Sequence, residues 1–392
     1  MKADWQVKKL GDVLQKTETI NPSQSPEWMF NYIDVSSVSN STFQIEETQR
    51  IKGSAAPSRA RKVVKENDII FATIRPTLQR IAIVPEHLDK QICSTGYFVI
   101  RPKPEINNRF IFYFLFTEKF TKNMGILQKG ASYPAVTDGD IKAQIIPFPS
   151  LHEQHRIVAI LDQAFAGIAT AKANAEQNLK NARALFESHL QSVFTERGEG
   201  WVEKKLGDIC SITSRLVDPR KDNFIDLIHV GAGNIESKKG CFVDLKTARE
   251  EGLISGKFLF DKSMVLYSKI RPYLMKVARP DFNGLCSADM YPLMPFPNEI
   301  TRDYLFHLLL CKSFTDYAVQ GSARAGMPKV NREYLFEYRS WLPDLKNQVQ
   351  FTLQFDTLHK ETQHLESIYQ RKLTALDDLK KSLLNQAFSG NL

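Results

Sequence analysis

Apolar residues along this chain follow two periods, and the change from one to the other happens twice. Short runs rich in β-branched and aromatic residues, at 68–74, 97–100 and 264–267, have the length and composition of buried strands. Arg101-Pro102 stops the second of these runs. Residues 109–120 and 302–314 predict short buried helices. These elements predict two α/β (α+β) globular domains in tandem, each built around a curved sheet.

After each domain the pattern lengthens. Pro149 and Pro343 mark the approach to a helix, since proline is tolerated at a helix start and not inside it. Residues 152–194 hold no proline and one glycine, Gly167; residues 346–388 hold neither. A helix of about 43 residues is roughly 65 Å long, too long for an ordinary globular helix. In the first, Leu161, Ala164, Ile168, Ala171, Ala175, Ala182 and Leu185 follow three-four spacing, with Asn178 in the remaining slot. In the second, Leu365 and Ile368, then Leu376, Leu379, Leu383 and Ala387, do so after a slip. That is the period of a coiled coil with a stutter. The expectation is that the two helices pair antiparallel, the small residues of one against the larger residues of the other. The alternative is that each packs only on its own domain.

The two halves repeat one another. Trp5, Lys8, Lys9, Leu10, Gly11 and Asp12 return as Trp201, Lys204, Lys205, Leu206, Gly207 and Asp208, 196 positions on. Ile74-Arg75-Pro76-Thr77-Leu78 returns as Ile270-Arg271-Pro272-Tyr273-Leu274, and Pro149-Ser150-Leu151-His152-Glu153-Gln154 as Pro343-Asp344-Leu345-Lys346-Asn347-Gln348. Matches in one order at a nearly constant offset define a duplicated unit with a pseudo-twofold internal repeat. The expected boundaries are residues 1–150 and 196–344 for the domains, and 151–195 and 345–392 for the helices. Between the anchors the halves diverge: KGSAAPSRAR resembles little in the second half, and GAGNIESKKG has no counterpart in the first. A repeated frame with differing loops suits two sites doing related but different work.

Charge and candidate chemistry narrow this. The 52 basic against 44 acidic residues give a formal charge of +8, which permits a polyanionic partner without demanding one. No apolar run is long enough to span a bilayer and the opening residues lack a signal-peptide core, so a cytoplasmic protein without membrane contact is expected. Five unpaired-looking cysteines, without CxxC spacing, argue against a disulfide framework or a zinc site. Cys93 and Cys286 lie inside apolar runs and read as small buried hydrophobes. There is no phosphate-binding GxxxxGK[ST] loop; Gly231-Ala232-Gly233 is a lone GxG, and Asp138-Gly139-Asp140 reads as a turn before a strand. His152 and His155 read as solvated helix-start residues. No catalytic, metal or cofactor site emerges, so the chain reads as non-catalytic.

The remaining features are basic loops. Arg59 and Arg61 precede the strand that ends in Arg75; Lys257 aligns opposite Arg61, and Arg271 opposite Arg75. Arg324 and Lys329 lie in a glycine-rich stretch aligned with Tyr133. Lysine and arginine neutralise phosphates, arginine also grips guanine bidentately, and Tyr133 offers a ring to a sugar or base edge. The competing reading of each cluster is a solvated charged loop. Arg75 and Arg271 have a second alternative, that they pin the fold through a carboxylate.

In order and twice over, the W-x-x-K-K-L-G-D opening, the I-R-P-x-L strand end and the P-x-L-x-x-Q helix entry resemble the specificity (HsdS) subunit of type I restriction–modification systems. G-S-A-R-A-G-M-P-K-V-N and the C-terminal L-L-N-Q-A-F-S-G add to the resemblance. Tyr133 stands where the second half has Met327, so the loop's role transfers less directly to the first half. The resemblance implies that each domain reads one half of a bipartite double-stranded DNA target. The helices would set the spacer and dock two methyltransferase subunits, and a motor-nuclease subunit would join for restriction. S-adenosylmethionine, ATP and Mg would then belong to those partners. A stand-alone sequence-specific DNA-binding regulator is the alternative reading.

Overall fold

The computed structural model describes residues 5–196, 198–212, 215–322 and 326–392. The chain divides into two compact units, Met1–Ala175 with Arg371–Leu392, and Glu176–Gln370. Each unit holds one head and segments of both long helices.

In unit 1 the head's strands are β1 (Gln6–Lys9), β2 (Met29–Ile33), β3 (Gln49–Lys52), β4 (Ala60–Val63), β5 (Ile69–Ala72), β6 (Ile81–Ile83), β7 (Ile92–Ser94), β8 (Tyr97–Ile100) and β9 (Ile145–Phe148). They form a sheet of order β3–β2–β7–β4, a second of order β6–β5–β8, and the ribbon β1–β9. All pairs are antiparallel except β2–β7, which is parallel. Unit 2 repeats this plan. Lys246–Thr247, Ile228–Val230, Gly284–Cys286 and Lys257–Phe260 follow the first order, with Leu216–Val217 added at the edge. Val277–Ala278, Val265–Ser268 and Met290–Pro295 follow the second, with Cys210–Ser211 added. The duplication read from the anchors is thus a duplication of strand order.

The repeated opening is the first strand of each ribbon: β1 pairs with β9, and Val202–Lys205 with Arg339–Leu342, the strand that leads into the long helix. Its glycine serves close approach. A Cβ on Gly11 would lie 3.0 Å from the Cβ of Lys142, and one on Gly207 would lie 3.2 Å from the Cβ of Phe336. The tryptophans are less alike than their alignment: Trp5 is buried in the unit 1 core, whereas half-buried Trp201 packs edge-on against Phe351.

Four local expectations are corrected. Residues 109–120 are not one helix but the end of Asn108–Phe114 and the start of Glu118–Leu127. Thr117 breaks them: its extended backbone and its Oγ1, which accepts from Phe120 N at 3.4 Å, start a new helix. In unit 2, Cys311 divides Arg302–Leu310 from Lys312–Gln320 in the same way, its Sγ accepting from Phe314 N at 3.5 Å. Asp138-Gly139-Asp140 is no simple turn but opens a one-turn helix, Asp138–Lys142. Thr137 and Asp140 cap it reciprocally, at 3.1 Å and 2.8 Å. GAGNIESKKG does have a counterpart. After Ile228–Val230 it makes the same 3-10 turn and bridged hairpin (Ile235 with Phe242) that residues 35–45 make after β2 (Val38 with Ile45). Ser37 Oγ accepts from Asp34 N at 3.1 Å in one, and Asn234 Oδ1 from Gly231 N at 2.9 Å in the other. Different side chains do the same backbone work, so letter matching does not reveal the equivalence.

The long helices run Leu151–Thr195 and Leu345–Ser389. Within each unit they pack antiparallel. In unit 1, Arg156 Nη2 donates to Leu392 O at 2.6 Å, and Lys172 pairs with Asp377 at 2.8 Å. In unit 2, Phe194 stacks on Phe355 at 5.8 Å, Phe186 meets His359 at 4.7 Å, and Arg183 pairs with Glu366 at 3.4 Å. Leu161, Ile168, Ala175 and Ala182 are buried at each heptad, as the spacing predicts. The seam then departs from it. Asn178 is exposed, Leu185 is 53% exposed, and the buried face steps by four through Phe186, Leu190 and Phe194. Those three side chains enter the core of the second head, so a straight 3.6-residue helix serves them better than a supercoiled seam. On the second helix the predicted Ala387 is buried and Leu376 and Leu383 are half-buried, but Leu365, Ile368 and Leu379 lie toward solvent while Thr362 and Leu384 are buried. Two neighbouring stripes share the same spacing, and tertiary contact selects between them.

The P-x-L-x-x-Q motif acquires a physical role. Gln154 is wholly buried; its Nε2 donates to Pro149 O at 3.0 Å, and its Oε1 accepts from the backbone N of Asn107 at 3.0 Å. Gln348 donates to Pro343 O and Glu299 O, both at 3.0 Å, and accepts from Thr301 N at 2.9 Å. Asn107 and Thr301 cap the first short helix of each head, so each glutamine ties a long helix to its head. Gln154→Ala strands a buried N–H and a buried C=O and is expected to cost about 2–4 kcal/mol. Chemical denaturation of the variant checks this; a cost below about 0.5 kcal/mol would show that the glutamine is not what fixes the helix.

Candidate nucleic-acid interface

The sequence motif Ile-Arg-Pro-x-Leu closes the same backbone device in both units. Arg75 is left-handed at φ 49°, Pro76–Leu78 makes a 3-10 turn, and Gln79 is left-handed again at φ 52°. Arg271, Pro272–Leu274 and Met275 repeat it at φ 48° and 49°. A side chain other than glycine in this region costs about 1–2 kcal/mol, and a residue before proline prefers extended backbone. Strain kept twice at equivalent places has to be held by its surroundings.

A second loop holds it. Arg75 N donates to Pro134 O at 2.6 Å, and Val136 N to Thr73 O at 3.0 Å. In unit 2, Arg271 N donates to Pro328 O at 2.9 Å, and Val330 N to Lys269 O at 3.0 Å. The backbone of each arginine is therefore anchored while its side chain points out. The Arg75 guanidinium lies 5.5 Å from the ring centroid of Tyr133, which is 73% exposed. The Arg271 residue is exposed, and its guanidinium has no hydrogen-bonding or ionic partner among the described residues. Neither arginine has a carboxylate partner there, so the fold-pinning alternative finds no support.

Further hydrogen bonds extend this edge. Thr73 N donates to Gly96 O and Thr95 N to Arg59 O, both at 2.8 Å, which links exposed Arg59 through Thr95 and Gly96 to the segment that leads into Arg75. Arg61 is half-buried, donates to Ala60 O at 2.8 Å, and lines a separate cleft. In unit 2, Lys329 sits on the Arg271 edge through the bridge to Ile270. Lys257 departs from the expectation that it faces a ligand. It is 6% exposed, and its ammonium donates to Ser255 O at 2.8 Å and Ser255 Oγ at 2.6 Å. The strand position that carries Arg61 in one head turns its charge inward in the other. Arg324 lies outside the described residues.

One basic residue escapes sequence reasoning. Lys269, two positions before Arg271, stands with its ammonium 5.2 Å from the Tyr291 ring and faces Lys329. Burial, and then Lys329, push its pKa below the usual lysine range. Two ammonium groups facing each other repel unless an anion lies between them. The signal was the pair Thr73/Lys269, a divergence inside an otherwise matched motif.

Burial pushes the Cys93 and Cys286 thiols up to about 12, so both stay protonated. Among the described residues no cluster of three or more His, Cys, Asp or Glu is placed to hold a metal, and no helix is long and apolar enough to cross a membrane.

Two heads of one strand order, each with an arginine loop at one edge, call for a family built by duplication. The sequence profile of the type I restriction modification DNA specificity domain matches residues 2–181 and, a second time, residues 198–374. The chain belongs to the type I restriction–modification specificity family. Among its relatives, the EcoDI specificity subunit of Escherichia coli is 29% identical over 308 residues, covering 70% of this chain and 67% of the relative. The HindI specificity subunit of Haemophilus influenzae is 27% identical over 163 residues, covering 41% of this chain and 35% of the relative. Among solved structures, a chain from work on complex assembly and conformational transition of the type I R-M system is similar at TM-score 0.85 and 26% identity, covering 100% of this chain and 99% of that one. The HsdS subunit from Thermoanaerobacter tengcongensis is similar at TM-score 0.71 and 26% identity, covering 100% and 98%. Each specificity-domain match contains one strained arginine loop, Arg75 in the first and Arg271 in the second.

Proposed function

We propose that this chain is the non-catalytic DNA-recognition subunit of a type I restriction–modification complex, each head binding one half of a bipartite target. The observation that carries the reading is the duplicated arginine loop, a strained backbone anchored by a second loop that leaves cations outward. Phosphate contacts from such an edge position a duplex, and side chains reaching base edges specify sequence. Arg59, Arg75 and Tyr133 serve the first head, and Lys269, Arg271 and Lys329 the second. The paired long helices set the spacing of the half-sites and dock two methyltransferase subunits, with motor-nuclease subunits joining for restriction. S-adenosylmethionine and ATP with Mg are carried by those partners, in the cytoplasm.

Methylome sequencing of cells expressing this chain with a cognate methyltransferase tests the reading. Methyladenine in a motif of two separated half-sites is expected, and replacing the first head by that of a relative should change one half-site only. A continuous motif, or a change in both halves, would sink it.

A further inference from the structure

The two heads share their frame but differ at the loop that precedes β2. In unit 1, residues 19–28 wrap a cleft of about 770 Å³ whose polar lining includes Asn21, Gln24, Ser25 and Arg61, with Trp28 as one wall. The frame is tightly held. Ile20 N donates to Arg61 O at 2.9 Å, Gly53 N to Trp28 O at 2.8 Å, and Ser54 N to Pro26 O at 3.0 Å. A Cβ on Gly53 would lie 2.2 Å from Ser25 O and 2.4 Å from Pro22 O, so only glycine allows the loop to seat. The Trp28 ring is stacked on Phe30 at 4.9 Å, which fixes the wall.

The donor set is chemically selective. No carboxylate lines the cleft. Asn21 Oδ1 already accepts from Ser23 N at 3.3 Å, which leaves the exposed Gln24 amide as the freer donor–acceptor pair. Arg61 gives one nitrogen to Ala60 O at 2.8 Å and keeps the rest of its fork. Glutamine pairs bidentately with adenine and arginine with guanine, whereas a cytosine amino group asks for a carboxylate that is absent here. Arg61 also lies two residues from exposed Arg59, whose carbonyl accepts from Thr95 N at 2.8 Å.

The described residues of the equivalent loop in unit 2 differ in chemistry. There Arg220 is bound to Asp218 at 2.8 Å, and Lys257 replaces Arg61 with its charge turned inward.

We propose that the cleft framed by residues 19–28 and β4 is the base-reading site of the first head, with Gln24 and Arg61 as specificity-determining residues for purines. This rests on the DNA-recognition reading above. It goes further by separating base reading from the Arg59–Arg75–Tyr133 edge and by assigning the two heads different readout chemistry.

The test uses the full chain in complex with its methyltransferase subunits and a DNA library randomised across both half-sites. Gln24→Ala and Arg61→Lys are compared with the wild type by sequencing the bound fraction and by affinity at two salt concentrations. Each variant should lose preference at one or two positions of a single half-site by about 5- to 150-fold, the span of one bidentate base contact. The other half-site and, for Arg61→Lys, the salt dependence should stay as in the wild type. Unfolding midpoints equal to the wild type show that the fold is kept; a lowered midpoint sends the test to Gln24→Glu, which should raise acceptance of cytosine at the same position. Unchanged motifs overturn the proposal, as does an equal loss of affinity for all sequences, which marks phosphate contact. If the wild type itself enriches no split motif, the recognition reading fails first and this one with it.

Discussion

Asp68→Met destabilises unit 1 by about 3–5 kcal/mol, and adding Arg101→Met returns most of that loss. Asp68 is 2% exposed and accepts from Arg101 Nε at 2.9 Å and Nη2 at 2.8 Å; Arg101 Nη1 continues to Glu18 at 2.6 Å. Removing the aspartate alone leaves a buried guanidinium with Glu18 and a long bond to Val63 O at 3.5 Å. The internal repeat indicates how to remove both. Ile69 pairs with Ile100 across β5 and β8, and in unit 2 Val265 pairs with Leu293. The residues beside these pairs are Asp68 and Arg101 in one unit, and Met264 and Met294 in the other. Unit 2 thus keeps the same frame with two thioethers in place of the charges. Denaturant unfolding followed by Trp5 and Trp28 fluorescence checks the cycle; a single-variant cost below about 1 kcal/mol would show that the pair is relaxed by water. The same network sets an acid limit. Hydrogen bonds from Arg101, and then Lys65, hold the Glu18 carboxyl at about 2, against an ordinary 4.5. Its folded-state pKa is depressed, so its stabilisation is full above pH 4.5 and fades as the pH falls toward 2. The double variant, lacking Arg101, should lose less stability across that window than the wild type.

Replacing Lys269, Arg271 and Lys329 together by glutamine flattens the salt dependence of DNA binding by about 0.9 per phosphate contact removed, close to 3 in slope if all three touch phosphate. The three residues lie on one edge because Arg271 N bonds Pro328 O and Val330 N bonds Lys269 O. Lys269 and Lys329 face each other, and the loss of that repulsion should leave the free protein no less stable. Affinity at low salt falls most and the difference narrows at high salt, since the lost term is counterion release. Titration of labelled duplex at four or more salt concentrations reads both quantities. An unchanged slope would place this edge away from DNA. Lys257→Gln is the matched comparison. With its ammonium buried against Ser255, it should leave the slope where it was and act, if at all, on stability.

Much of the architecture was legible along the chain. The long helices, Leu151–Thr195 and Leu345–Ser389, run over the proline-free stretches 152–194 and 346–388, because helix periodicity is a property of neighbouring residues. Strand Tyr97–Ile100 was likewise bounded by its own composition and by the Arg-Pro that follows it. Less legible were the breaks at Thr117 and Cys311. A capping side chain interrupts an apolar run that by itself would continue. The seam after Ala182 was lost for a different reason: Phe186, Leu190 and Phe194 answer to a head's core as well as to the partner helix.

The candidate site divides along the same line. The amino-acid sequence by itself determined the duplication, the place of the two I-R-P loops, the helix entries and the family, since these depend on residue identity in order. Only the tertiary structure decided which charges face outward. Arg61 and Lys257 occupy equivalent strand positions, yet one lines an open cleft and the other bonds Ser255 in the interior. Lys269 and Lys329 are 60 residues apart along the chain and meet because a loop hydrogen bond closes across them. The left-handed backbone at Arg75 and Arg271 had no signal in composition; it exists because Pro134 and Pro328 carbonyls hold it. Local order is written in neighbouring residues, whereas exposure and charge placement follow from long-range pairing that brings distant segments into register.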